Sequence, residues 1–537
     1  MLLVVVLAAN FSPASAFTAP TMVKDINPGA GDASPVGFFP IAGKLVFFAN
    51  DGLSGTEPWV SDGTVAGTFQ LMDVWPGPNG GFNPSCTICN AVSDGITVYF
   101  AASDGSGGAQ LWRTDGTTLG TSKVFAGSTA FALGMMGNKV FFTNSNSQLC
   151  SSDGTAGGTF IVSTTSFSAG TIDLLEVGGF LYFAGANGFQ GTELWRTDGT
   201  PGGTVQVKDL NPGSPDALPT NLTNVGGTLY FTATNGIGGA LYRTDGTAAG
   251  TVLLRQGTIT GGAVGDRKQL LVMNGLVYFV GSEATHGQEL WRTDGTPAGT
   301  VLVKDVYPGV GGGLVGSSLA RVGNTIFFAG ADDTHSAELW KSDGTEAGTV
   351  MVKDLNPGFT SSFPKQLASI DGTLFFRAQG SAAAGDQPWT SDGTEAGTQQ
   401  WAAIRPANAS GASTFTLVSG QVFFAANDGT HGLELWSAGP TLGITPAAAV
   451  SHVLLSQSQP NPMRAAGAIT YSLPSGRHVM LRLYDAQGRV LRTLVDRFET
   501  AGLHRVELES RSLANGIYFY RLESGGEVRE RKLVIQR

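Results

Sequence analysis

Apolar runs of four to seven residues, rich in Val, Leu, Phe, Tyr and Trp, follow one another along most of the chain, with Gly, Asn, Asp and Pro between them. From Leu367, for example, LASIDGTLFFRAQG leads into DQPWTSDG and then GTQQWAAI. Runs this short, bounded by turn-forming residues, predict β-strands, and no stretch keeps helical period long enough to predict a helix. Four strands emerge per unit: LASI, TLFFRA, QPWTSDG and a fourth of the kind TVMVKD from Thr349.

The pattern repeats. Asp-Gly-Thr recurs with its Asp at 62, 115, 153, 198, 245, 294, 343 and 392, in steps of 53, 38, 45, 47, 49, 49 and 49. The clearest copies are ELWRTDGTPAGTVLVKDVYPG from Glu289 and ELWKSDGTEAGTVMVKDLNPG from Glu338. A period in this range marks a repeat architecture, and four strands per unit predict a β-propeller. Gly226-Gly227, Asn274-Gly275, Gly323-Asn324 and Asp371-Gly372 fit tight hairpins that need positive φ. In DGTxxGT the Asp side chain accepts backbone N–H groups two residues on. That makes the eight Asp residues turn-formers rather than a row of catalytic acids. The preceding aromatic (Trp59, Trp112, Trp195, Tyr242, Trp291, Trp340, Trp389, Trp436) is expected to pack between neighbouring sheets.

The two ends fit one another. Met22–Gly29, MVKDINPG, is a fourth strand with nothing before it, and the unit from Val418 stops after Trp436 without its own fourth strand. Joined, they complete one unit, and a ring so closed has no exposed sheet edge. Counting second strands gives nine blades, with eight as the alternative if the short unit around Cys150 is degenerate. The fold expected is therefore all-β: a closed propeller of four-stranded blades over residues 22–437, followed by a small C-terminal antiparallel sandwich. Met22–Trp436 resembles the bacterial ELWxxDGT repeat family. The resemblance implies a secreted or surface-associated propeller and supplies no catalytic residues.

Residues 1–16, MLLVVVLAANFSPASA, read as a signal peptide ending in a small-residue cleavage site. No later stretch reaches the length of an apolar membrane span. The chain carries a net charge of −10. Residues 453–537 hold 13 Lys+Arg against 8 Asp+Glu, a net of +5, so the remainder carries −15. That asymmetry marks a domain boundary, with 438–452 as linker. The acidic repeat region argues against nucleic acid as a partner. The tail's short alternating strands suggest an Ig-like sandwich. Its Pro460-Asn461-Pro462, Tyr484-Asp485 with Gly488, Gly516-Ile517-Tyr518 and Lys532-Leu533-Val534 resemble the C-terminal sorting domain of type IX secretion cargo, which implies the outer-membrane secretion machinery as partner and a secreted or cell-surface location.

Candidate chemistry is sparse. Cys86 and Cys89 are spaced for a local disulfide. No GxSxG, HExxH or phosphate-binding glycine loop is present. His286, His335 and His431 occupy one repeat position, between second and third strands, with Asp332 and Asp333 nearby; Arg377 stands where other units carry Ala, Thr or Val. These residues mark candidate ligand-face loops, without a catalytic, cofactor or shared metal site. Asn50-Asp51-Gly52 and Asn427-Asp428-Gly429 are candidates for weak calcium binding. The function expected is that of a monomeric, non-enzymatic binding or adhesion module for glycan, protein or matrix, the alternative being a secreted propeller-fold polysaccharide hydrolase or lyase.

Overall fold

The computed structural model divides into two compact units, Met1–Pro440 and Thr441–Arg537. It describes residues 17–440 apart from 84–90, 126, 128–130, 167–173, 260–269, 317, 381–384 and 407, and in the second unit 454–455, 463, 466–473, 477–499, 502–509, 513–525 and 527–536. The segment 1–16 read as a signal peptide, Cys86, Cys89 and Pro460-Asn461-Pro462 lie outside the described residues.

Among the described residues the first unit consists of nine antiparallel sheets and no helix. Eight have four strands, and the sixth has a further short strand, Thr258–Ile259. The seventh is representative: Ala320–Val322, Thr325–Gly330, Glu338–Ser342 and Val350–Lys353 pair in that order. The unit around Cys150 is complete, with strands Phe131–Met136, Lys139–Thr143, Gln148–Ser152 and Phe160–Ser166. In the ninth sheet, Ser413–Val418, Gln421–Asn427 and Leu433–Ala438 are joined by Thr21–Lys24, which pairs with Leu433–Ala438 from the other end of the chain. From the second sheet to the ninth, successive first strands adjoin one another, and Ser413–Val418 also adjoins Val36–Ile41 of the first sheet.

Two features of the repeat build these contacts. The first is the aromatic before DGT, which packs on the preceding sheet. Trp340 shares a buried cluster with Tyr278 and Leu290, Trp291 with Tyr230 and Leu241, and Trp59 with Phe423 and Leu435 of the ninth sheet. The second is the turn. Asp294 Oδ1 accepts the Thr296 N–H at 2.8 Å and the Thr296 hydroxyl at 2.7 Å, and Thr296 Oγ1 accepts the Gly299 N–H at 2.9 Å. Gly295 has φ +90°, and a Cβ on Gly299 would lie 2.1 Å from Asp294 Oδ1. Thr300 Oγ1 donates to the Thr296 carbonyl at 2.7 Å, and the same bonds recur at all eight copies, so every residue of DGTxxGT except the two x positions takes part in the turn.

Cations then tie four of the sheets to the one that follows. Lys24, Lys208, Lys304 and Lys353 donate to the carbonyls of Thr68, Thr251, Thr349 and Thr398 at 2.8–3.0 Å, each in the following sheet's turn. Arg292 and Lys341 donate to the carbonyls of Gly344 and Gly393.

The second unit has a three-stranded sheet (Leu454–Leu455, Ala466–Leu473, Gly502–Glu509) and a four-stranded sheet ordered Val490–Glu499, Arg477–Tyr484, Gly516–Ser524, Glu527–Ile535. They share one core, including Ile469, Tyr471, Leu481, Tyr520 and Leu533.

Gly299→Ala is expected to destabilise the first unit by about 2 kcal/mol or more, because the new methyl displaces the turn carboxylate. Chemical denaturation checks this, with Pro297→Ala, at an exposed x position, as the near-neutral comparison.

Candidate binding rim

Strands in each sheet alternate in direction, so the loop joining second to third strand and the crossover to the next sheet emerge at the same end. This rim is where the repeats differ most. Leu53, Phe189 and Ile237 stand at equivalent loop tips with 79%, 89% and 83% of their surface exposed. Val310 and Phe359 stand in crossovers, both 81% exposed. His286, His335 and His431 lie in the second-to-third-strand loops of the sixth, seventh and ninth sheets.

Each histidine has its own carboxylate three residues earlier. His431 Nδ1 is 2.7 Å from Asp428 Oδ2, His335 Nδ1 is 3.0 Å from Asp332 Oδ1, and His286 Nδ1 bonds Glu283. The Asp428 hydrogen bond raises the His431 pKa above its ordinary value. The rings are held locally, each within its own loop, and the structure brings no two of the three histidines together by a hydrogen bond among the described residues. Asp332 also accepts the N–H groups of Thr334 and His335, while Asp333 is solvent-exposed. Arg377 pairs across its sheet with Asp386, Nε to Oδ2 at 3.1 Å.

The two Asn-Asp-Gly loops turn their oxygens inward. Asn50 Oδ1 accepts the Gly52 N–H at 2.7 Å, and Asp51 Oδ1 accepts those of Leu53 and Ser54. Asn427 Oδ1 accepts the Gly429 N–H at 2.6 Å, and Asp428 Oδ1 those of Thr430 and His431. These oxygens face N–H donors, the opposite of a calcium loop's arrangement. Among the described residues no three His, Cys, Asp or Glu side chains converge as metal ligands. Cys150 is buried, and burial pushes its thiol up to about 11, which leaves it unreactive.

Two features went unread in the sequence. Arg255 stands where other units carry the Lys of VKD, and its guanidinium lies 3.3 Å above the Trp291 ring while Nη2 bonds Glu283 at 2.8 Å. The ELW glutamates are the second. Glu57, Glu193, Glu289, Glu338 and Glu434 are fully buried. Each accepts backbone N–H groups of the crossover beneath the rim. Glu57 takes those of Val74 and Gly81 at 3.0 and 2.6 Å, Glu338 those of Leu355 and Ser362 at 2.7 and 3.0 Å, and Glu434 those of Ile26 and Asn27 at 2.9 and 3.2 Å. Burial pushes all five carboxyls up to about 7, against the pull of those N–H groups. An acid kept at one position between apolar neighbours was the available signal.

In the tail, Asp485 accepts the N–H groups of Gln487 and Arg489 at 2.9 Å and pairs with the Arg489 side chain, closing a turn in which Gly488 has φ +79°. Tyr484 is buried under the Arg521 guanidinium, 5.1 Å away, and the Tyr518 hydroxyl donates to the Ala514 carbonyl at 2.9 Å. Lys532 lies opposite Phe519 on the neighbouring strand. Residues 459–536 match the family described as the secretion system C-terminal sorting domain. The tail is a type IX sorting domain. It implies interaction with that secretion machinery, and secretion or surface attachment.

No curated protein matches the chain. Among solved structures, the computationally designed Ika8 protein is 14% identical, with a TM-score of 0.38 over 76% of this chain and 97% of that one. A prolyl endopeptidase is 11% identical, with a TM-score of 0.38 over 82% of this chain and 54% of that one. TolB from Acinetobacter baumannii is 14% identical, with a TM-score of 0.28 over 41% and 53%. Likeness at these scores carries no argument about function.

His431 is expected to titrate above 6.5, and Asp428→Asn to bring its midpoint back toward that value. NMR titration of the imidazole resonances checks this; an unchanged midpoint in the variant would contradict it.

Proposed function

We propose that the first unit is a closed nine-bladed propeller, exported through its sorting tail, that binds a glycan, protein or matrix component at the cell surface without catalysing a reaction. The observation that carries this reading is a division of labour among polar side chains. Those repeated from blade to blade form turns or tie sheets together, as Asp294, Glu338 and Lys353 do. Polar side chains that differ from blade to blade, His286, His335, His431 and Asp333 among them, stand at one rim with the exposed Leu53, Phe189, Ile237, Val310 and Phe359. Pairing of Thr21–Lys24 with the last sheet and the adjoining first strands support ring closure. Exposed apolar tips amid carboxylates and imidazoles suit recognition by contact and hydrogen bonding.

The full chain, applied to a glycan array and a polysaccharide hydrolysis panel, is expected to bind without turnover. Substituting the rim tips Leu53, Phe189 and Ile237 by Ser is expected to weaken binding about tenfold or more. Measured turnover would instead favour the hydrolase or lyase reading. Export is tested separately: a chain lacking 453–537 should stay in the periplasm, and unchanged secretion of that chain would count against the sorting route.

A further inference from the structure

The buried glutamates have acidic partners, and the two acids come only as a pair. Sixteen residues after Glu57, Glu193, Glu289 and Glu338 stand Asp73, Asp209, Asp305 and Asp354, and across the chain ends Glu434 is matched by Asp25. In the other four sheets both positions are uncharged: Gln110 with Ala126, Gln148 with Thr164, Ala240 with Gln256, Gln387 with Ala403. No sheet carries one acid without the other.

The register sets the two acids against each other. Leu194 opposes Lys208, Leu290 opposes Lys304 and Leu339 opposes Lys353, so Glu193–Asp209, Glu289–Asp305 and Glu338–Asp354 are the next cross-strand positions out. Like charges directly opposite are destabilising in a sheet, the more so when one side chain is fully buried. Yet one oxygen each of Asp25, Asp209, Asp305 and Asp354 is buried without a hydrogen-bond partner. Two negative groups that occur only together, in four of the five pairs with an unsatisfied oxygen on the aspartate, need something positive between them.

We propose that each of these five Glu–Asp pairs holds one proton in the folded protein, and that the propeller loosens as those protons leave. A calcium ion takes about six to eight oxygens, and among the described residues no third acidic or histidine side chain completes such a ligand set at any pair. A proton needs two oxygens. Other titratable groups near the pairs are few. Tyr242 of the next sheet acts on Glu193, and His431 lies near Glu434 and Asp25. Lys24, Lys208, Lys304 and Lys353, beside the aspartates in sequence, reach away to carbonyls of the next sheet. Deprotonation puts two charges against one another beneath the crossover that the glutamate holds, so the junction between sheets is what weakens.

The direction with pH follows from linkage. A carboxyl raised from 4.5 to about 7 contributes stability that is complete below about 4.5 and is lost as pH climbs through about 7. The exposed turn aspartates Asp198 and Asp294, whose pKa values are lowered, act only at lower pH. Thermal unfolding of the full chain should therefore show a midpoint lower by about 5 °C or more at pH ~8 than at pH ~5. Converting all five pairs to the Gln–Ala combination that two sheets already carry should abolish most of that fall. Converting Glu289 and Asp305 alone should remove roughly a fifth of it. If the fivefold variant does not fold, infrared spectra of the unaltered chain at pH ~6 decide: protonated-carboxyl absorption should be present and should shrink in the single-pair variant. A midpoint level or rising from pH ~5 to ~8, or no such absorption, overturns the proposal. So does a fall that calcium abolishes and a chelator restores, which would assign the pairs to a cation.

Discussion

A folded repeat can only be continuous if the chain leaving one sheet is fixed where it enters the next, and at five of the nine junctions here that fixing is done by a buried glutamate. The crossover after each fourth strand is irregular backbone with N–H groups that no sheet ladder satisfies. Glu338 takes two of them, from Leu355 and Ser362, and its equivalents take those of other crossovers. Irregular backbone carried under a protein surface needs such partners. A single carboxylate with two oxygens and several lone pairs meets the need from one position, which explains why the acid is kept on a strand whose neighbours are Leu and Trp.

Around that tie the rest of the unit is ordered by distance from the junction. The aromatic two residues along the same strand closes the apolar interface, the DGTxxGT turn sets the fourth strand, and the lysine at its end reaches the following turn. Where the tie changes, the neighbourhood changes with it. In the eighth sheet Gln387 replaces Glu and its amide donates to the carbonyls of Arg405 and Asn408 while its oxygen accepts the Arg405 N–H. In the fifth, the lysine position holds Arg255, which stacks on Trp291 instead. Architecture thus absorbs nearly all of the repeated polar groups.

Much of this was legible in the chain. The turn role of the Asp-Gly-Thr aspartates followed from local chemistry alone, and Asp294 shows the expected bonds. The stranded MVKDINPG segment pointed to the sheet it completes. The tail's motifs were dense enough to resemble a sorting domain, and 459–536 match one. What escaped is what depends on distant partners. Glu434 is bonded to Ile26 and Asn27, 408 and 407 residues away, and an acid's burial is invisible until its partners are placed. The rim histidines were legible as a shared position, whereas their individual carboxylates were not, because the i, i+3 contact belongs to the loop conformation.

The account turns on whether the glutamate holds the crossover. Native-state hydrogen exchange measures this at the amides of Leu355 and Ser362. The account predicts protection close to that of the central strand Thr325–Gly330, lost in Glu338→Ala at Leu355 and only reduced at Ser362, whose N–H also donates to the Ala337 carbonyl at 2.9 Å, while Thr325–Gly330 stays protected. Exchange of Leu355 and Ser362 in the unaltered protein as fast as that of exposed loop amides would contradict it.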